Sequence, residues 1–173
     1  MRIKDIGGEL GLIRMVSRKP ASKDAIIGIG DDSAAFKSRK GYYAVTVDAI
    51  VEGDHFSFDY FSPKDVGVKA MESNVSDLAA MGAVKPLYAF ISITLKKDAP
   101  AELVRQIYEG IYGRARKHGM DVLGGDTTHG AATVVSATLI GFAKNKSGLI
   151  TRSGARAGDL VFVTGALGAS TAG

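Results

Sequence analysis

The chain contains no cysteine. That excludes disulfides, cysteine-ligated zinc, iron–sulfur clusters and a thiol nucleophile. Proline is scarce, with 4 residues, and no stretch is apolar for the length a membrane span needs. The N-terminal residues Met1, Arg2, Lys4 and Asp5 lead into no apolar run of secretory type. No Lys/Arg block exceeds three residues, and zinc-finger and RNA-recognition signatures are absent, so the net charge of +4 reads as a solvated surface rather than a nucleic-acid footprint. No GxxxxGK[ST] loop and no protein-kinase catalytic loop occur. Gly28 and Gly30 form no dinucleotide fingerprint either, because position 33 is Ser and a strand pattern follows.

What is abundant is more pointed. Glycine makes up 22 of 173 residues, about 13% against a usual 7%, which calls for tight turns and close backbone approaches. With 46% apolar and 23% charged residues the chain is of globular type. Its acids are mostly Asp, a residue of loops, caps and hard-metal sites.

Residues 9–18 carry Leu10, Ile13 and Val16 at helical spacing. Short strands are predicted over 25–29, 33–36 and 42–47, with Arg39, Lys40 and Gly41 as the turn between the last two, and 52–61 as a loop. Ser62, Pro63 and Asp65 predict a capped helix start, an apolar stripe of Met71, Val75 and Leu78 follows, and Gly82 closes the helix. Residues 87–95 are apolar or aromatic at seven of nine positions, as in a strand covered on both faces. Asp98 and Pro100 open a second helix, with Leu103, Ile107, Ile111 and Ala115 on one face and Lys117, His118 and Gly119 at its end. A strand over 120–123, a loop over 124–130, a strand over 133–143, a turn over 145–148, a basic loop over 152–158 and a last strand over 160–164 complete the pattern. This is an α+β fold: a mixed or antiparallel sheet with two helices on one face. The other sheet face is left for a partner to bury. The Gly-rich ending after a strand pattern suggests a piece of a longer protein.

Four segments end in or contain Asp: Gly28-Ile29-Gly30-Asp31-Asp32, Thr46-Val47-Asp48, Asn74-Val75-Ser76-Asp77 and Gly124-Gly125-Asp126-Thr127-Thr128. A single loop Asp is ordinarily a turn former or cap. Four such segments point instead to a Mg²⁺–polyphosphate site, where hard carboxylate oxygens place the metal and offset ligand charge. Asp48 ends an apolar strand, where an unpaired carboxylate is costly. Asn74 and Asp77 lie one turn apart and share a helix face. Arg152 is open between a surface charge and a phosphate clamp, His55 between a loop histidine and a ligand contact, and Tyr112 between packing and an adenine contact.

These segments, together with Val47-Asp48-Ala49-Ile50-Val51-Glu52-Gly53-Asp54-His55-Phe56, the run Asp77-Leu78-Ala79-Ala80-Met81-Gly82-Ala83 and Thr151-Arg152-Ser153-Gly154-Ala155-Arg156-Ala157-Gly158-Asp159, resemble the thiamine-monophosphate kinase family in motif and in order. That family belongs to the wider aminoimidazole-ribonucleotide-synthetase-like superfamily. The resemblance implies ATP-dependent phosphorylation of thiamine monophosphate to thiamine diphosphate with Mg²⁺. It implies Asp32, Asp48, Asp77 and Asp126 as metal ligands with Asp31 and Thr46 beside them, Gly125, Asp126 and Arg152 at the nucleotide, and His55 at the substrate. The residue before Asp48, usually Thr in the family, is Val47 here, so a hydroxyl ligand is lost. The resemblance also implies residues 1–158 as an N-terminal, dimerising domain, 159–173 as the start of a second, and a cytoplasmic enzyme. A general base is not called for, since a phosphate monoester is already anionic. The alternatives are a sister synthase of the superfamily, with selenophosphate synthetase disfavoured for want of its cysteine, and a non-catalytic nucleotide-binding module that dimerises.

Overall fold

The structure, a computed structural model, describes residues 22–27, 31–163 and 165–168. The expected helix over 9–18 and the glycines at 28 and 30 lie outside the described residues. The elements in chain order are β1 (Ala25–Ile27), β2 (Ala34–Ser38), β3 (Gly41–Val51), α1 (Pro63–Ala80), β4 (Lys85–Leu95), α2 (Ala101–Lys117), β5 (Asp121–His129) and β6 (Val134–Ala143). Single 3₁₀ turns follow at Lys146–Gly148 and Arg152–Gly154.

Among the described residues six strands form one sheet in the order β1-β2-β3-β6-β4-β5. Every pair is antiparallel except β4 with β5, which run parallel because α2 carries the chain back between them. β6, the last of the described strands in sequence, is seated in the middle. Its residues alternate between buried and half-buried along its whole length, with Val135, Ala137, Leu139 and Ala143 toward the helices.

Helix α1 starts where its sequence says. The Ser62 hydroxyl accepts from the Asp65 amide, and the Asp65 carboxylate accepts from the Ser62 amide. This reciprocal cap satisfies two otherwise orphaned amides. Gly82, at φ +88, turns the chain out of the helix. Val66, Met71 and Leu78 of α1 and Ile107 and Ile111 of α2 are fully buried in a core shared with Ile91, Ile93 and Leu139 of the sheet. The two helices approach closely through facing glycines. A Cβ on Gly67 would stand 2.0 Å from the Ile107 carbonyl oxygen, and one on Gly110 would stand 2.1 Å from that of Lys64.

Both helices lie on one sheet face, as expected. The opposite face carries Phe36, Tyr43, Phe142, Val47, Tyr88 and Phe90. Phe36, Tyr43 and Phe142 form a row of ring contacts across β2, β3 and β6, the first pair tilted and the second T-shaped. Val47 is 60% exposed.

Three sequence expectations are corrected. Residues 124–129 are not loop but the body of β5, hydrogen-bonded alongside Phe90 to Leu95. Helix α2 begins at Ala101 after Pro100, and no side chain caps it, so Asp98 stays in the preceding turn. Residues 160–163 form no strand; Leu160, Val161 and Phe162 are at least 79% exposed, and no strand among the described residues pairs with them. Among the described residues no helix is long and apolar enough to cross a membrane.

Candidate functional site

The C-terminal end of α1 gathers five of the ten expected residues: Asp31, Asp32, Thr46, Asp77 and Arg152. Thr46, buried on β3 and facing the helices, donates from Oγ1 to Asp77 Oδ2 at 2.5 Å. Downstream chain is tied to the same end. The Ile150 amide donates to the Met81 carbonyl at 3.0 Å and the Ala83 amide to the Gly148 carbonyl at 2.8 Å. This short antiparallel contact delivers Arg152 to the carboxylates that precede β2. The Arg152 amide donates to Asp31 Oδ1 at 2.7 Å. Its Nε donates to Asp32 Oδ2 at 3.2 Å, and Nη2 donates to Asp32 Oδ1, a two-pronged ion pair.

The hydrogen bond from Arg152 holds the Asp32 carboxyl below the usual carboxylate range, against the opposing effect of burial and with help from the guanidinium charge. Arg152 in turn is raised, first by its bond to Asp32 and also by the charges of Asp31 and Asp77. Asp31, Asp32, Asp77 and Arg152 therefore share one electrostatic neighbourhood, with Thr46 as its hydroxyl.

Asp48 lies two residues beyond Thr46 on the same face. Contrary to the expectation of a carboxylate buried at a strand end, β3 runs on to Val51 and Asp48 is exposed. Asp126 is not brought to the others. It pairs with Ser92 in a row that continues through Ser136 to Ala49, whereas Asp48 belongs to the neighbouring row through Ala137, Ile91 and Gly125. Asp126 is thus on the sheet face away from the helices, and three strand spacings, about 14 Å, separate β5 from β3. Its Oδ1 accepts from the Thr127 amide at 2.8 Å. Gly125 has a packing reason to be glycine, since a Cβ there would fall 1.6 Å from the Ile91 carbonyl oxygen. His55 sits in the turn after β3, its Nδ1 accepting from the Val51 amide at 3.3 Å, with Asp54 beside it.

Tyr112 is 46% exposed and its ring meets Tyr108 at 5.9 Å between centroids. Together with Lys64, Arg105 and Arg116 they line a groove of about 470 Å³. Tyr108 was not singled out in the sequence; its spacing of four from Tyr112 was the available signal.

No three acidic or histidine side chains converge as a ready metal cage among the described residues. The donor set nevertheless suits a hard cation. The oxygens are carboxylate and hydroxyl, and two buried oxygens next to them have no hydrogen-bond partner among the described residues: Ser33 Oγ, beside Asp32, and Asn74 Oδ1, one turn before Asp77. An open, oxygen-rich arrangement of this kind suits Mg²⁺ carried in with a phosphate ligand.

Residues 30–143 match the family described as AIR synthase related protein, N-terminal domain. The chain belongs to this family. Its described part is an AIR synthase related N-terminal domain, with the family's mixed sheet and paired helices. Within the family it is similar to thiamine-monophosphate kinases, as its motifs indicate. It is 37% identical over 168 residues to the enzyme of Bacillus subtilis, covering 95% of this chain and 51% of that one. It is 37% identical over 173 residues to the enzyme of Aquifex aeolicus, covering 100% and 53%. The solved structure of AaThiL complexed with AMPPCP and TMP superposes with a TM-score of 0.79 at 33% identity, covering 90% of this chain and 47% of that one. This AIR synthase related domain spans about half the length of the curated relatives it matches.

Proposed function

We propose that this chain is the nucleotide- and metal-binding half of a cytoplasmic thiamine-monophosphate kinase, transferring the γ-phosphoryl group of ATP to thiamine monophosphate. The observation that carries the reading is the convergence of Asp31, Asp32, Thr46, Asp77 and Arg152 at one end of α1. The likeness to a protein complexed with AMPPCP and TMP supports it.

In this reading Asp31, Asp32, Thr46, Asp48 and Asp77 would hold Mg²⁺, and Asp126, on the other sheet face, would meet a metal only at a surface that a second chain presents there. When bound, Mg²⁺ offsets the charge of the polyphosphate and of the acceptor phosphate. Arg152 balances Asp32 while no nucleotide is present and turns its guanidinium to the phosphates when one arrives. Gly125 and Asp126 would contact a nucleotide from the other sheet face, and Tyr112, in the groove beside Lys64 and about 20 Å along α1 from Asp77, would take the adenine only of a nucleotide other than the one at the acidic cluster. His55, at the open end of the turn after β3, contacts the thiamine monophosphate. None of these groups takes a proton from the acceptor; their work is placement and charge.

Residues 1–158 then make up the first domain and 159–173 the beginning of a second. The exposed apolar Leu160, Val161 and Phe162 support that division. The apolar and aromatic sheet face opposite the helices supports a homodimer built through this domain. Light scattering at micromolar concentration is expected to give twice the chain mass, and a monomer would overturn it.

Calorimetry tests the site itself. Mg²⁺ alone is expected to bind weakly, and Mg²⁺ with ATP clearly better. Asp48→Asn should weaken Mg²⁺ binding in the presence of ATP by about tenfold, the loss of one charged ligand. Equal binding by the variant would remove Asp48 from the metal set.

A further inference from the structure

A second cluster of charge lies at the other end of β3. The turn joining β2 to β3 and the segment leaving β6 are brought side by side because Tyr42 pairs with Ala143. Between them is a depression of about 280 Å³ lined by Lys37, Arg39, Lys40, Lys144 and Lys146, with Tyr42 also at its wall and no acidic residue. All five cations are exposed. Among the described residues none of the five makes an ion pair. Lys96, Arg105, Arg114, Lys117 and Arg152 all do. The chain's net charge is only +4, so five unbalanced cations in one hollow are a local excess, not a share of a uniform surface.

Like charges held this close repel one another, and water and salt relieve that only in part within a Debye length of about 8 Å. A compact anion bearing several charges relieves it directly. Lysines meet phosphate oxygens as point charges, and the arginine adds a planar fork. A nucleic acid would instead need a basic track along its backbone, and these cations are confined to a single pocket.

We propose that this hollow is a binding site for a small condensed phosphate, a di- or triphosphate anion, separate from the acidic site. Thr46, the nearest member of the acidic site along β3, is five residues from Gly41, about 17 Å at strand rise, and Asp48 is about 24 Å away. The hollow carries no carboxylate that would hold Mg²⁺, so it takes the anion free of metal. That separates it chemically from the acidic site, where carboxylates repel a bare polyphosphate.

The test is calorimetric titration of the chain with inorganic tripolyphosphate in 150 mM salt and without divalent metal. The wild type is expected to bind at one site per chain. Lys37→Ala/Lys40→Ala/Lys144→Ala is expected to bind about tenfold more weakly or not at all, and the corresponding triple Arg variant to bind as the wild type does. These side chains are exposed, and circular dichroism will show the fold intact. Arg152→Ala, which removes the cation of the acidic site, is expected to change the titration less than about twofold. Absence of binding to the wild type, full binding by the triple Ala variant, or loss of binding in Arg152→Ala would each overturn the proposal. So would tighter binding of a duplex oligonucleotide than of tripolyphosphate at equal phosphate concentration.

Discussion

Gly110→Ala is expected to lower the melting temperature by roughly 4–8 °C, while Gly113→Ala, three residues on in the same helix, raises it by a few degrees. Both changes gain about 1 kcal/mol of helix propensity. They differ in what the new methyl group meets. At Gly113 nothing lies within 4 Å, so the gain stands. At Gly110 the methyl would come 2.1 Å from the Lys64 carbonyl oxygen. That oxygen is backbone, held in α1, and cannot turn aside as a side chain can. Restoring an ordinary contact means moving the helices apart by more than 1 Å, which loosens the packing around Ile107 and Ile111. Overpacking of this kind costs on the order of 3 kcal/mol, so the clash wins over propensity. Thermal unfolding of the two variants beside the wild type decides it, and a stabilised Gly110→Ala would show that the helices do not meet as closely as described.

A larger effect is expected in catalysis. Assayed by themselves, residues 1–173 should form thiamine diphosphate at least about 10²-fold more slowly than a protein that adds the remaining half of the relatives' length. The acidic cluster at the end of α1 has a face open to solvent, and Asp126 is on the opposite sheet face from Asp48. Phosphoryl transfer needs donor and acceptor phosphates in line, and misplacement by about 1 Å costs about 10²-fold. Within the proposed kinase reading, the closing surface comes from the second half and from a second copy. Chromatographic measurement of thiamine diphosphate from both proteins, at matched ATP and Mg²⁺, is the check. Comparable turnover would place the complete catalytic site within these residues or their homodimer.

Helix α1 was legible in the sequence because Ser62, Pro63 and Asp65 each meet a need of a helix start, and the structure contains the reciprocal cap they imply. Strand β4 was legible as a strand from its apolar run, but not as one covered on both faces: the helices bury Ala89, Ile91 and Ile93, while Tyr88, Phe90 and Ser92 on the other face are exposed. Strand β5 was not. Gly124, Gly125, Asp126 and Thr127 have a turn's composition, and only pairing with β4, with an irregularity at Ala89/Phe90, keeps them extended. The facing glycines of α1 and α2 were equally hidden, because a lone glycine within a helix reads as a local cost until its neighbour across the interface is known. In the site, the carboxylates stood out by residue type. Which sheet face Asp126 occupies depends on strand register, and the meeting of Arg152 with Asp32 depends on the contact between 81–83 and 148–150. Neither is encoded near the residues concerned.

The seat of β6 between β3 and β4 has a consequence for the order in which the molecule assembles. The β2–β3 hairpin and the β4–α2–β5 unit are each made from neighbouring stretches of chain and close short loops. Tyr42 and Ala143, by contrast, are 101 positions apart and still paired. Joining the two halves of the sheet requires a strand that leaves the ribosome after both. Until then β3 and β4 each present an unpaired edge with apolar side chains. Closure across so long an intervening stretch is slow relative to local pairing, which puts refolding toward the millisecond-to-second range typical of non-local β topologies. The interval before β6 is inserted is when this chain is most exposed to wrong partners, and a chaperone would have its main task there.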